Sequence, residues 1–162
     1  MVIRAFISLG NPGEQYEKTF HNAGVVFAQA FEQFLNKKGM LIPFYRSASH
    51  MNQSGVGVDS AISQTNLNLA DLLVIHDDSD IALGEFKLSF GRNDGGHNGI
   101  RSIFSHFKSK EFWRLRIGIR DEAFSGLKAD EFVLRKMKPE HLEAIEGLCG
   151  AVYAAMIEKR LV

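Results

Sequence analysis

The chain has 162 residues, 45% of them hydrophobic and 23% charged, which is the balance of a folded globular domain and not of a disordered or fibrous chain. Its one cysteine, Cys149, excludes an internal disulfide or a cysteine-rich zinc site, fits a packing role and points to a reducing compartment, the cytoplasm. Nineteen basic residues balance nineteen acidic ones, which argues against a globally basic nucleic-acid binder, yet residues 81 to 120 hold eight basic groups against three acidic ones.

Residues 3 to 9 are apolar and β-prone and run into Asn11-Pro12-Gly13, a turn in which Pro fixes one negative φ and Gly accepts a positive one. No small-residue cleavage site follows, so the start of the chain reads as a strand and not as a signal peptide. From Asn22 to Lys38 the apolar positions Val25, Val26, Phe27, Ala30, Phe31, Phe34 and Leu35 recur at helical spacing until Gly39. Residues 40 to 45 suit a short strand, and 52 to 68 suit a loop followed by a short helix. Leu72-Leu73-Val74-Ile75 is a buried central strand that ends in the polar run His76-Asp77-Asp78-Ser79-Asp80.

Residues 85 to 90 form another strand, and the glycine-rich loop 91 to 96 leads into a helix marked by Ile100, Ile103, Phe104 and Phe107. Phe112 to Ile119 alternates as a strand, and Pro139 opens a single helix to Arg160 with the stripe Leu142, Ile145, Leu148, Cys149, Val152 and Met156. Apolar stretches such as 151 to 157 are far shorter than the roughly 18 residues of a membrane span. Strands interleaved with helices predict an α/β fold: a single globular domain with a twisted mixed, largely parallel central sheet and helices on both faces.

Three polar loops sit where strands end or helices begin: Asn11 with His21 and Asn22, then Asp77 to Asp80, then His97 and Asn98. In open α/β sheets such loops converge at one edge, where ligands bind. A histidine beside a carboxylate acts there as an oriented general base, and His21 and Asp77 suit that pairing. With no Gly-x-Ser-x-Gly elbow, and with Cys149 in a helical stripe, the nucleophile is water. A metal reading through Asp77, Asp78 and Asp80 is the weaker alternative, because adjacent strand residues point to opposite faces. The loop 91 to 96 lacks the Gly-Lys-Ser/Thr of a nucleotide-binding P-loop.

Six strings occur in order: Gly10-Asn11-Pro12-Gly13 with Tyr16, Thr19-Phe20-His21-Asn22-Ala23-Gly24, Met51-Asn52-Gln53-Ser54-Gly55, His76-Asp77-Asp78-Ser79-Asp80, Gly95-Gly96-His97-Asn98-Gly99 and Phe112-Trp113-Arg114-Leu115-Arg116-Ile117-Gly118-Ile119. Together they cover nearly the whole chain, which resembles bacterial-type peptidyl-tRNA hydrolase. The resemblance implies hydrolysis of the ester between a peptide and the 3′ end of tRNA by a cytoplasmic monomer that needs no cofactor and no metal. It implies His21 as general base, Asp77 as its orienting partner and Asn11 as the group that senses a blocked amino end. Asn52 and Asn98 hold the substrate, Tyr16 and His50 line its path, and Lys87 first, then Arg116 with Arg101, meet acceptor-stem phosphates, a sequence-independent mode, with packing of Arg114 or Arg116 on the strand as the open alternative. Membrane and DNA are not expected partners.

Against the family pattern, residues 1 to 162 are short between residues 22 and 50 and after the last helix, and His50 stands where Phe is usual. Some relatives keep the fold and bind RNA without hydrolysis. The retained His21, Asp77, Asn11, Asn52 and Asn98 favour the enzyme, since a pure binder needs no general base.

Overall fold

The computed structural model describes residues 2–63 and 65–162. A five-stranded sheet runs in the order β2-β1-β3-β5-β4, from β1 (Ala5–Ser8), β2 (Phe44–Arg46), β3 (Leu72–Ala82), β4 (Phe86–Phe90) and β5 (Trp113–Arg120). β1 lies parallel to β2 and β3, β3 parallel to β5, and only β4 runs antiparallel, along one edge. This is the mixed, largely parallel α/β sheet that the sequence predicts.

Both faces of the sheet are covered, which is why β3 begins with four apolar residues in a row. On one face Leu73, Ile75, Leu115 and Ile117 pack under α1 (Ala23–Lys37), α4 (Pro139–Glu146) and α5 (Cys149–Glu158). Phe6 sits between Phe31 and Phe44 in this layer, with ring centroids 5.7 and 4.6 Å away. On the other face Leu72 and Val74 meet Val58, Ile62, Ile100 and Ile103 of α2 (Ser54–Ile62) and α3 (Asn98–Phe107). Among the described residues no helix is long and apolar enough to cross a membrane.

Three expectations change. Residues 52 to 68 hold the helix first and the loop after: a 3-10 turn, Met51–Gln53, leads directly into α2. Glycines 55 and 57 suggest a loop by propensity, but they are there for close packing. A Cβ on Gly55 would stand 2.6 Å from the Ser102 carbonyl oxygen of α3, and one on Gly57 would run into the Ser47 and Ser49 hydroxyls. The expected single helix from Pro139 is two, α4 and α5, separated at Gly147 and Leu148. Leu148 N–H bonds back only three residues, to Ile145, and the weak helix former Gly147 permits the tightening. The buried stripe, with Cys149 in it, continues across the break.

Third, the polar run His76 to Asp80 does not follow β3 but lies within it. His76, Asp77 and Asp78 pair in register with Arg116, Ile117 and Gly118 before a bulge shifts the ladder at Ala82. Gly118 is required there, because any Cβ would run into the Ala82 carbonyl oxygen.

Helix α1 approaches β3 at Gly24, where a Cβ would lie 2.8 Å from the Ile75 carbonyl oxygen and 2.9 Å from His76 Cα. Gly24→Ala should therefore destabilise the fold by about 1–3 kcal/mol, since overpacking against main chain outweighs the helix-propensity gain of about 1 kcal/mol. Urea denaturation measures this, and a more stable variant would contradict the close approach.

Candidate active site

Asp77 is 2% exposed and lies on the carboxyl half of β3. Its carboxylate collects two histidines from opposite layers of the fold. His21 stands in the 3-10 turn Phe20–Asn22 just before α1, and its Nδ1 is 2.9 and 2.8 Å from the two Asp77 oxygens. His97 is the N-cap of α3, and its Nε2 lies 2.9 Å from Asp77 Oδ1. A carboxylate accepts, so both nitrogens donate. The Ile100 N–H donates to His97 Nδ1 at 3.3 Å, which fixes the tautomer of His97. With Nδ1–H of His21 committed to Asp77, the lone pair of that ring is on Nε2.

The turn that carries His21 is held by the irregular segment 121 to 138, which the sequence left without an element. His21 N–H bonds the Val133 carbonyl at 2.7 Å and Phe20 N–H the Arg135 carbonyl at 3.1 Å. The Phe20 ring packs against Phe124, Phe132 and His141.

Asn11 follows β1 and is fastened on three sides. Its N–H donates to Asn22 Oδ1 at 2.8 Å, its carbonyl accepts from Asn22 Nδ2 at 3.0 Å, and its own Oδ1 accepts the Met51 N–H at 2.7 Å. Because Met51 N–H can only donate, the atom facing it is Oδ1, and the Nδ2 donors of Asn11 point elsewhere. Asn22 is 1% exposed, and Asn22 and His97 are site residues that the sequence-level assignment omitted. Each was visible only as the polar neighbour of a chosen residue.

Two cavities meet at His21. One, about 590 Å³, is lined by Asn11, His50, Met51, Asn52, Gln53 and Leu134 among others. The other, about 510 Å³, holds Asp77 to Asp80, Asp94 and His97 among others. His21, Asn98, Asp130 and Val133 belong to both. Tyr16 meets the exposed His50 edge to face at 5.9 Å.

The basic residues divide. Lys87 is exposed on β4, and the Arg101 side chain is 58% exposed. Arg116 is 7% exposed, and its Nε donates to Asp78 Oδ2 at 2.8 Å. The expectation of Arg116 as a phosphate contact is corrected on this point: its guanidinium is buried and committed to a carboxylate. Arg114 is buried likewise and donates to the Arg92 and Asn93 carbonyls.

The metal alternative through Asp77, Asp78 and Asp80 loses Asp78 to Arg116, and Asp80 is exposed. His21, Asp77 and His97 do bring three potential ligand atoms within 4.8 Å of one another. To ligate through Nε2, however, His97 would carry its proton on Nδ1, facing the Ile100 N–H. A ligating histidine needs an acceptor at that position, so the set fits a hydrogen-bond network and not a cation.

Burial alone would lower the pKa of His21, but the Asp77 charge and hydrogen bond outweigh it and hold the pKa above its ordinary 6.5. Burial alone would raise the pKa of Asp77, but His21 and His97 outweigh it and hold the carboxyl far below the usual range. The two histidines thus favour the ionised form of Asp77, and Asp77 favours the protonated form of His21.

The sequence matches the family model described as Peptidyl-tRNA hydrolase over residues 5–159. It is 39% identical to the peptidyl-tRNA hydrolase of Thiobacillus denitrificans, over 94% of this chain and 80% of that one. It is 35% identical to that of Lactiplantibacillus plantarum, over 95% and 91%. The crystal structure of peptidyl-tRNA hydrolase from Acinetobacter baumannii superposes with a TM-score of 0.76 at 28% identity, covering all (100%) of this chain and 91% of that one.

Asp77→Asn removes the charge that holds the His21 imidazolium and leaves the burial, so it should move the His21 pKa from above 6.5 to below it, as read by NMR titration. The stability term follows the same sign: a pKa raised on folding stabilises fully below the unfolded value of about 6.5 and fades as pH rises through the folded value. An unchanged His21 midpoint in the variant would contradict the pairing.

Proposed function

Because the chain belongs to the peptidyl-tRNA hydrolase family, we propose that it hydrolyses the ester between a peptide and the 3′ end of tRNA, with His21 drawing the proton from the attacking water. The observation that carries this is the His21–Asp77 pair at 2.8 Å, whose His21 lines both cavities.

His21 Nε2 accepts a proton from water as its oxygen bonds to the ester carbonyl carbon, and the ionised Asp77 stabilises the imidazolium that forms. His97, donating to the same carboxylate, keeps Asp77 in place as that charge develops. When the tetrahedral intermediate collapses, the imidazolium returns the proton to the departing ribose oxygen, which frees the tRNA and restores His21. Amide N–H groups of Asn52 and Asn98, both exposed beside His21, serve the carbonyl oxygen as it gains charge. Asn11, whose Oδ1 is already bonded to the Met51 N–H, has its Nδ2 donor for the acyl oxygen of a blocked amino group.

The amide-lined cavity with His50, Asn52 and Asn11 suits the peptide. Tyr16, packed on His50, meets the 3′ end. The acceptor stem runs over the exposed cations Lys87 and Arg101, where only phosphate charge is read. In this reading the enzyme works as a monomer, in the cytoplasm, where its substrate arises.

Release of the amino acid from N-acetylaminoacyl-tRNA tests the scheme. His21→Ala should lower kcat/KM by about 10² to 10⁴ while tRNA binding persists. Turnover near wild type in that variant would remove His21 from the mechanism. Lys87→Ala should raise KM, leave kcat unchanged, and reduce the log–log salt slope of tRNA binding by about 1. An unaltered slope would take the acceptor stem off β4.

A further inference from the structure

His76 has no part in this mechanism, yet it is 1% exposed and lies between the two groups that hold the site together. The Ile75 carbonyl accepts from the Leu9 N–H at 2.9 Å, in line with the ladder to β1. Alternation along a strand points the Asp77 carbonyl to the same side two residues later, past the end of β1 at Ser8. A buried main-chain carbonyl needs a donor, and His76 supplies it: its Nδ1 is 2.7 Å from the Asp77 carbonyl oxygen. A carbonyl only accepts, so Nδ1 carries the proton, and Nε2 is the one buried side-chain nitrogen or oxygen without a partner among the described residues.

The His76 side chain lies on the opposite face of β3 from that of Asp77 and meets His97. The two rings pack edge to face, with centroids 4.6 Å apart. Resting on the reading of His21 and Asp77 as the catalytic pair, we propose that His76 is a positioning residue, whose Nδ1–H fixes the Asp77 main chain while its ring braces His97. One side chain thereby supports both the carboxylate and its second donor. The titratable and charged groups around it are His97, Arg114 and, from the other face of the strand, Asp77. A protonated His76 would add a cation beside Arg114 with no acceptor for its second N–H, so the neutral ring fits the contact, in keeping with the burial that holds its pKa well below 6.5.

Two substitutions separate the hydrogen bond from the packing. His76→Phe keeps a ring and loses the donor, and His76→Asn loses the ring and keeps an N–H able to reach the same carbonyl. With N-acetylaminoacyl-tRNA, His76→Phe should lower kcat about tenfold with KM within about twofold, whereas His76→Asn retains more than a third of wild-type kcat. Full kcat in His76→Phe, or equal losses in both, would overturn the proposal.

Long-range ¹H–¹⁵N NMR of the wild-type protein gives an answer independent of how the variants fold. His76 should appear as the neutral Nδ1–H tautomer throughout, from about pH 5.5 to 8.5. The Nε2–H tautomer, or titration within that range, would overturn the contact. The spectrum reads the same whether or not the ester is hydrolysed, so failure of this contact and failure of the catalytic reading are distinguishable.

Discussion

A carboxylate almost sealed from water has to be surrounded by donors, and the arrangement of this molecule follows from meeting that requirement at Asp77. The donors come from places far apart in the sequence, His21 ahead of α1 and His97 at the start of α3. They reach one carboxylate because β3 lies between the helical layers that carry them. The carboxylate in turn sets the chemistry. It keeps the proton of His21 on Nδ1 and the lone pair on Nε2, and it favours the charged imidazolium against the cost of burial.

The supporting structure is mostly main chain. β3 is longer than β1, so its second half extends beyond its neighbour, and the residues there are free to face a cleft while β5 still holds their register. Asn22 grips the main chain of Asn11 at both N–H and carbonyl, and Asn11 passes that order on to Met51. The segment after β5 is pinned by Arg120, which donates to the Ser79, Phe124 and Leu127 carbonyls and lies 4.8 Å from the Phe132 ring. Through Val133 and Arg135 that segment holds the turn bearing His21. Glycines 24, 55 and 118 mark the places where helix or strand comes too close for a Cβ.

Much of this was legible in the sequence where one residue's chemistry is enough. A histidine before a helix and an aspartate after an apolar run suggest a pair, and the two side chains do meet, while the apolar run itself gives the central strand. What depends on register was not legible. Arg116 reads equally as a surface cation or as a packed strand residue until its pairing opposite His76 puts it beside Asp78. His97 reads as a loop residue until α3 starts at Asn98 and turns its ring toward β3. The same limit applies to local structure: Gly55 and Gly57 look like loop residues because propensity does not contain the helix packed against them, and a continuous stripe does not reveal the break at Gly147.

The central claim is that the base is a histidine whose affinity for a proton is raised by one buried carboxylate held in its ionised form. The pH dependence of kcat/KM for N-acetylaminoacyl-tRNA tests it most directly, because that ratio reports the ionisations of the free enzyme. The account predicts that activity rises with pH through a single ionisation centred above 6.5, the ordinary histidine value. A flat profile across neutrality, or a midpoint below 6.5, would contradict it.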